Sequence, residues 1–229
     1  FPISTWRSKT LKSSPGPLTI IIEGDGRAFT RSGRIGRNPT PHHPLAPQLA
    51  AQIPGAIALA RPCQFEGKKT TICHDAKYWT SHRWAPEVIH AYDTAITTLK
   101  QAESANDIHL IGFSGGAAVA LLVAAKRDDI TRITTLAGNL DTDGINRFHN
   151  VTPTPQSLNP RDIAGQIATI PQRHIIGSQD PIIPAQTTRA FIAAQGAGHC
   201  ASLRRLPIGH NARDWARSWP SISRIPFPC

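Results

Sequence analysis

The chain has 229 residues, 40% of them hydrophobic, enough to bury one substantial core in a single domain spanning 1–229. Lysine and arginine outnumber aspartate and glutamate by 25 to 15, a formal charge of +10 that favours anionic partners. No window is apolar for long enough to span a bilayer, and the scattered arginines lack the basic stripe and stacking aromatics of a nucleic-acid reader.

In chain order, a strand over 4–11 turns at Ser13-Ser14-Pro15-Gly16 and returns through Leu18-Thr19-Ile20-Ile21-Ile22, the pattern of a hairpin. The second strand runs straight into a glycine-rich corner, Glu23-Gly24-Asp25-Gly26-Arg27. A basic, proline-containing loop over 27–44 leads to a short helix at 45–52 and a strand at 56–60. Val88, Tyr92, Ala95, Ile96 and Leu99 recur at helical spacing, and Pro86 suits a first turn, so the spacing predicts a helix over 86–102. The apolar run Ile108-His109-Leu110-Ile111 then gives way, through Gly112-Phe113-Ser114-Gly115-Gly116, to a helix-forming run over 117–126. A strand over 130–140 follows. The irregular stretch 141–160 is the candidate for a small cap or substrate-facing loop.

Further on, Arg173-His174-Ile175-Ile176-Gly177 reads as a short strand that ends in Ser178-Gln179-Asp180-Pro181. A last, partly exposed strand over 200–208 precedes Gly209-His210-Asn211 and a helix containing Trp215. Strands alternating with helices predict a mostly parallel sheet with helices on both faces and no large cap. There is no internal repeat.

The chemistry concentrates at the ends of these strands. A serine flanked by glycines at a strand-to-helix corner is a nucleophile elbow, which lifts a hydroxyl clear of the sheet beside a helix N-terminus. This makes Ser114 the candidate nucleophile. Such an elbow calls for an acid and then a histidine downstream, each just past a strand, and Asp180 and His210 answer in that order. Asp141 and Asp143 are rivals for the acid, whereas His109 and His174 lie inside predicted strands, His199 precedes the last strand and His149 follows the wrong one. Oxyanion donors are expected from the amides of Gly115 and Asp25, with Gly26 as the neighbour able to replace the latter. Phe113, Gly26 and Asp141, with the 141–160 stretch, are expected to line the substrate pocket.

Four cysteines allow three pairings. Cys63 with Cys73, and Cys200 with Cys229, are favoured, the second tying down a proline-rich tail; four reduced thiols or a site using His74 are the alternatives. Zinc-type spacing is absent, so neither metal nor another cofactor is expected. Disulfides point to a periplasmic or extracellular compartment, and the start at Phe1 reads as that of a processed or trimmed chain.

Together, the elbow, the acid, the histidine and the oxyanion corner resemble the α/β-hydrolase superfamily. The stretches Ile22-Glu23-Gly24-Asp25-Gly26, Arg61-Pro62-Cys63-Gln64, Tyr78-Trp79-Thr80 and Ser157-Leu158-Asn159-Pro160 look more narrowly like a group of small, uncharacterised bacterial hydrolases of the cell envelope. The resemblance implies a serine-dependent hydrolase or acyltransferase on the α/β-hydrolase fold. Hydrolysis of a carboxylic ester through a Ser-His-Asp triad is the expected activity. An amidase or peptidase with the same triad, and a catalytically idle binding protein that keeps the elbow as architecture, are the alternatives. The expected partners are a small-molecule or lipid ester and an anionic envelope surface, with the chain acting as a monomer.

Overall fold

The computed structural model describes residues 1–10, 16–30, 32–66 and 71–229. Among these, seven strands form one sheet in the order β1-β3-β2-β4-β5-β6-β7. The strands are β1 (Thr5–Arg7), β2 (Leu18–Ile22), β3 (Ile57–Leu59), β4 (Ile108–Phe113), β5 (Ile130–Leu136), β6 (Gln172–Gly177) and β7 (Ala201–Leu206). All neighbours pair in parallel except β1, which runs antiparallel to β3.

The strand residues alternate between two cores, as a period of two requires. Ile20, Ile22, Ile57, Leu59 and Leu110 pack with α2 (Pro86–Ala102), α3 (Gly115–Ala124) and Phe191 of α5 (Ala185–Ala194). Ile21, Ala58 and Ile111 pack on the other side with α1 (Leu45–Ala50), Ile145 of α4 (Thr142–Phe148) and the tryptophans of α6 (Ala212–Ile222). The ten residues of α3 are all buried, which explains why they are apolar all round. α6 instead buries a stripe, Trp215, Ala216, Trp219 and Ile222, and leaves its charges in water.

The α/β-hydrolase fold expected from the motifs is therefore present: a mostly parallel sheet, helices on both faces, and no large cap among the described residues. The 86–102 helix has its expected bounds. Three expectations need correction. β1 does not form a hairpin with β2, because β3 inserts between them and takes β1 as its antiparallel partner; the turn residues 13–15 lie outside the described residues. The strand expected over 130–140 stops at Leu136, and the stretch expected to be irregular opens with α4, whose first turn is capped by the Asp141 carboxylate accepting from the Gly144 amide. α5 has no counterpart in the sequence reading. Cys63 pairs with Cys73 and Cys200 with Cys229, at Cα separations of 5.4 and 5.6 Å; the intervening polar-turn residues 67–69 lie outside the described residues.

Two histidines sit inside this sheet. His109 Nε2 bonds the Thr134 hydroxyl at 2.9 Å, and His174 Nδ1 bonds the Thr135 hydroxyl at 2.8 Å. Burial pushes both down from 6.5 to about 3, helped by Arg173 and Arg132 for His109 and by His199 for His174. The unfolded chain protonates each near 6.5 and the native state only near 3, so their contribution to stability is full above 6.5 and lost as pH falls toward 3. His174→Gln should cut the stability lost between pH 6.5 and 5 by about 2 kcal/mol, read from urea midpoints at the two values.

Candidate active site

The elbow follows from close packing at the end of β4. Ser114 adopts φ 50° and ψ −122°, a strained conformation held by its amide donating to the Leu136 carbonyl at 3.0 Å. A side chain at Gly116 would collide with the Ile22 and Glu23 carbonyls, so only glycine lets α3 start this close to β2.

The loops after β6 and β7 are tied together by the Ser178 amide donating to Leu206 O (2.7 Å) and the Gln179 amide donating to Ile208 O (3.1 Å). Asp180 and His210 ride on these two loops and meet. His210 Nδ1 lies 2.7 Å from Asp180 Oδ2, and His210 Nε2 lies 3.0 Å from Ser114 Oγ. An ionised carboxylate only accepts, so Nδ1 carries the hydrogen and Nε2 is left to accept from the serine hydroxyl. The Asp180 side chain is fully buried while the imidazole keeps 22% exposure. Burial works to raise the Asp180 carboxyl, but the hydrogen bond and charge of His210 and the amides of Ile182 and Ile183 outweigh it and hold it below the ordinary value. The imidazole is further flanked by the Phe113 ring, 5.2 Å away, and its loop is held by Trp215 Nε1 donating to the Gly209 carbonyl at 3.0 Å.

The rival acids lie elsewhere. Asp141 is buried, and its carboxylate takes the Gly144 amide at 3.0 Å, with Asn159 and Arg161 each at 3.5 Å. Asp143 contacts Asn159 at 3.4 Å.

At the glycine-rich corner, Arg61 and Arg83 grip the Asp25 carboxylate at 2.7 and 3.1 Å. Gln64 Nε2 donates to the Gly24 carbonyl at 2.9 Å, and the Cys63–Cys73 bridge is next to it in sequence. The Asp25 carboxylate lies against Gly115, where any Cβ would strike it. This contact brings the Asp25 loop up to the start of α3, and neither the Asp25 nor the Gly115 amide donates to a partner among the described residues. The two guanidiniums offset the carboxylate charge. Beneath the corner, Glu23 accepts from the Gly24 and Ala46 amides, and burial pushes its carboxyl up to about 7 against those hydrogen bonds.

A cleft of about 430 Å³ opens over Ser114 and His210, with Gly26 and Phe113 in its wall. Asp141 is absent from it, as is every residue of 141–160; Asp141 lines a separate hollow beside Phe148 and Gln186. The cleft walls come instead from Ala28, Phe29, Pro41 and His43 of the long loop after β2, with Ile182 and Ala212 opposite. Sequence reasoning missed these and the Arg61–Asp25–Arg83 clamp. The available signal was position: a long loop following β2 overhangs the elbow because β2 and β4 are neighbours.

The fold and this cleft at the ends of its parallel strands define an α/β hydrolase. Residues 53–210, a span that includes Ser114, Asp180 and His210, match the family described as Serine hydrolase (FSH1). The chain belongs to that family of serine hydrolases. No curated protein matches the sequence. Among solved structures, the chain is similar to an alpha-beta serine hydrolase homologue from Coxiella burnetii, with 14% identity and a TM-score of 0.57 over 96% of this chain and 88% of that one. The Pyrococcus furiosus esterase Pf2001 superposes with a TM-score of 0.61 at 18% identity, over 90% and 80% of the two chains. A puromycin hydrolase gives 0.60 at 14% identity over 94% of this chain, which spans only 35% of that protein. At these identities the likeness is one of fold.

Proposed function

We propose that this serine hydrolase cleaves carboxylic esters through Ser114, His210 and Asp180, working as one domain. The observation that carries the reading is the continuous hydrogen-bonded relay from serine through imidazole to buried carboxylate, at 3.0 and 2.7 Å. Ser114 Oγ attacks the ester carbonyl carbon as its proton passes to His210 Nε2, and Asp180 stabilises the resulting imidazolium. The amides of Gly115 and Asp25 donate to the tetrahedral oxyanion. Collapse breaks the bond to the alkoxy oxygen, which leaves as the alcohol with the proton from His210. Water, deprotonated by the same imidazole, then hydrolyses the acyl-serine and returns the hydroxyl to Ser114. No step calls for a cofactor.

Two disulfides support work in an oxidising compartment, periplasmic or extracellular, and the charge of +10 supports contact with anionic envelope material. Among the described residues no helix is long and apolar enough to cross a membrane. The reading is tested by turnover of 4-nitrophenyl esters of graded acyl length beside the matching anilides. Ester cleavage with inert anilides is the expected result; anilide turnover comparable to that of esters would move the assignment to amide bonds.

A further inference from the structure

The loop that walls the Ser114 cleft also forms a second hollow on its outer side. This hollow, of about 860 Å³, is lined by Arg27, Arg34, Arg37 and His42 together with the side chains of Phe29 and Ile35. Phe29 is common to both spaces, so the hollow adjoins the Ser114 cleft. Its two apolar side chains face each other across an isolated antiparallel bridge and are 48% and 55% exposed, a cost in water that a ligand would relieve.

Charge is segregated here in a way that whole-chain counts conceal. Arg27, Arg34 and Arg37 line the hollow, and no aspartate or glutamate occurs anywhere from Gly26 to Phe65. Arg27, Arg34 and Arg37 have no carboxylate partner among the described residues, unlike Arg61 and Arg83, which each hold one, and Arg127, which holds two. Among the described residues the Arg34 guanidinium makes one weak neutral contact, its Nε reaching Ser32 Oγ at 3.4 Å. Unpaired guanidiniums ringed with Thr30, Ser32 and Asn38 offer fork-shaped donors of the kind that hold phosphate or carboxylate.

We propose that this hollow is a subsite for the negatively charged end of an amphiphilic ester, a phosphate or carboxylate on an apolar body, whose scissile carbonyl sits at Ser114. Phe29 and Ile35 cover the apolar body and the arginines take the anionic end. The substrate class is thereby narrowed to anionic amphiphiles, and the inference rests on the ester-hydrolase reading above.

The test pairs two chromogenic esters of one medium-chain dicarboxylic acid, one with the far carboxylate free and the other with it capped as the methyl ester. The full chain should favour the free acid in kcat/KM by about tenfold or more, a preference that shrinks at high salt. Arg34→Gln and Arg37→Gln, checked for an unchanged thermal midpoint, should each lower the free-acid to methyl-ester ratio several-fold. Equal kcat/KM for both esters, or a ratio that survives both substitutions, would overturn the proposal. Failure of the ester-hydrolase reading itself would show differently, as no turnover of either ester. The subsite is then read without catalysis, by calorimetric titration of Ser114→Ala protein with dodecyl phosphate and with a neutral dodecyl glycoside, where equal binding overturns it. Co-sedimentation with phosphatidylglycerol against phosphatidylcholine vesicles distinguishes sources: selective retention assigns the anion to a lipid headgroup, and titration by the monomeric phosphate without retention assigns it to a dispersed ester.

Discussion

Ser114→Ala is expected to lower kcat on short-chain esters by on the order of 10⁶-fold, the scale seen when the nucleophile of such a relay is removed. Among the described residues, no other hydroxyl bonds His210 Nε2. The thermal midpoint should move by less than about 3 °C, because alanine keeps the backbone at φ 50° and the amide bond to Leu136, and loses only a partly exposed hydrogen bond. Turnover and differential scanning fluorimetry on the same preparation separate these two effects. Residual activity near that of the parent protein would move the nucleophile elsewhere.

Asp180→Asn should cost about 10⁴-fold in kcat with the fold intact, for a reason of hydrogen-bond polarity. Asp180 Oδ1 accepts from the Ile182 and Ile183 amides at 2.8 and 3.1 Å, and an asparagine keeps its oxygen on those two donors. Its NH2 group then faces His210 Nδ1, which must accept. The ring is forced into the tautomer whose Nε2 carries hydrogen, and Nε2 can no longer take the serine proton. The imidazolium also loses the buried charge that balances it. If Asp180 works through His210 on Ser114, as proposed, the double variant Ser114→Ala with Asp180→Asn should be no slower than Ser114→Ala alone. Additive losses would show that the two side chains work independently.

The site was legible in the sequence wherever its chemistry is encoded locally. Ser114, Asp180 and His210 each follow a strand in a short loop, and parallel strands gather such loops at one end of a sheet, so chain order alone placed them near one another. α2 was legible because five apolar residues repeat at helical spacing over its length. β1 was legible as a strand but its pairing was not, because its partner choice depends on where β3 inserts, a contact fifty or more residues away. α5 escaped notice because Thr187, Thr188 and Phe191 bury a face that offers little apolar contrast in sequence. The cleft walls were hidden for a related reason. The 27–43 loop carries no periodicity, and its position over Ser114 follows from the β2–β4 pairing and from Gln64 and Thr40, which bond across to and from it. Asp141 looked available as a pocket residue; its actual work is to cap α4, which only the helix itself reveals.

The most direct measurement is covalent capture of the nucleophile. The folded protein, treated with a fluorophosphonate and digested for mass spectrometry, should carry one adduct on the peptide containing Ser114, and the His210→Ala protein should carry almost none. An unlabelled Ser114 in the folded parent protein, or an adduct of equal yield in the His210→Ala protein, would contradict the account that the imidazole activates this serine.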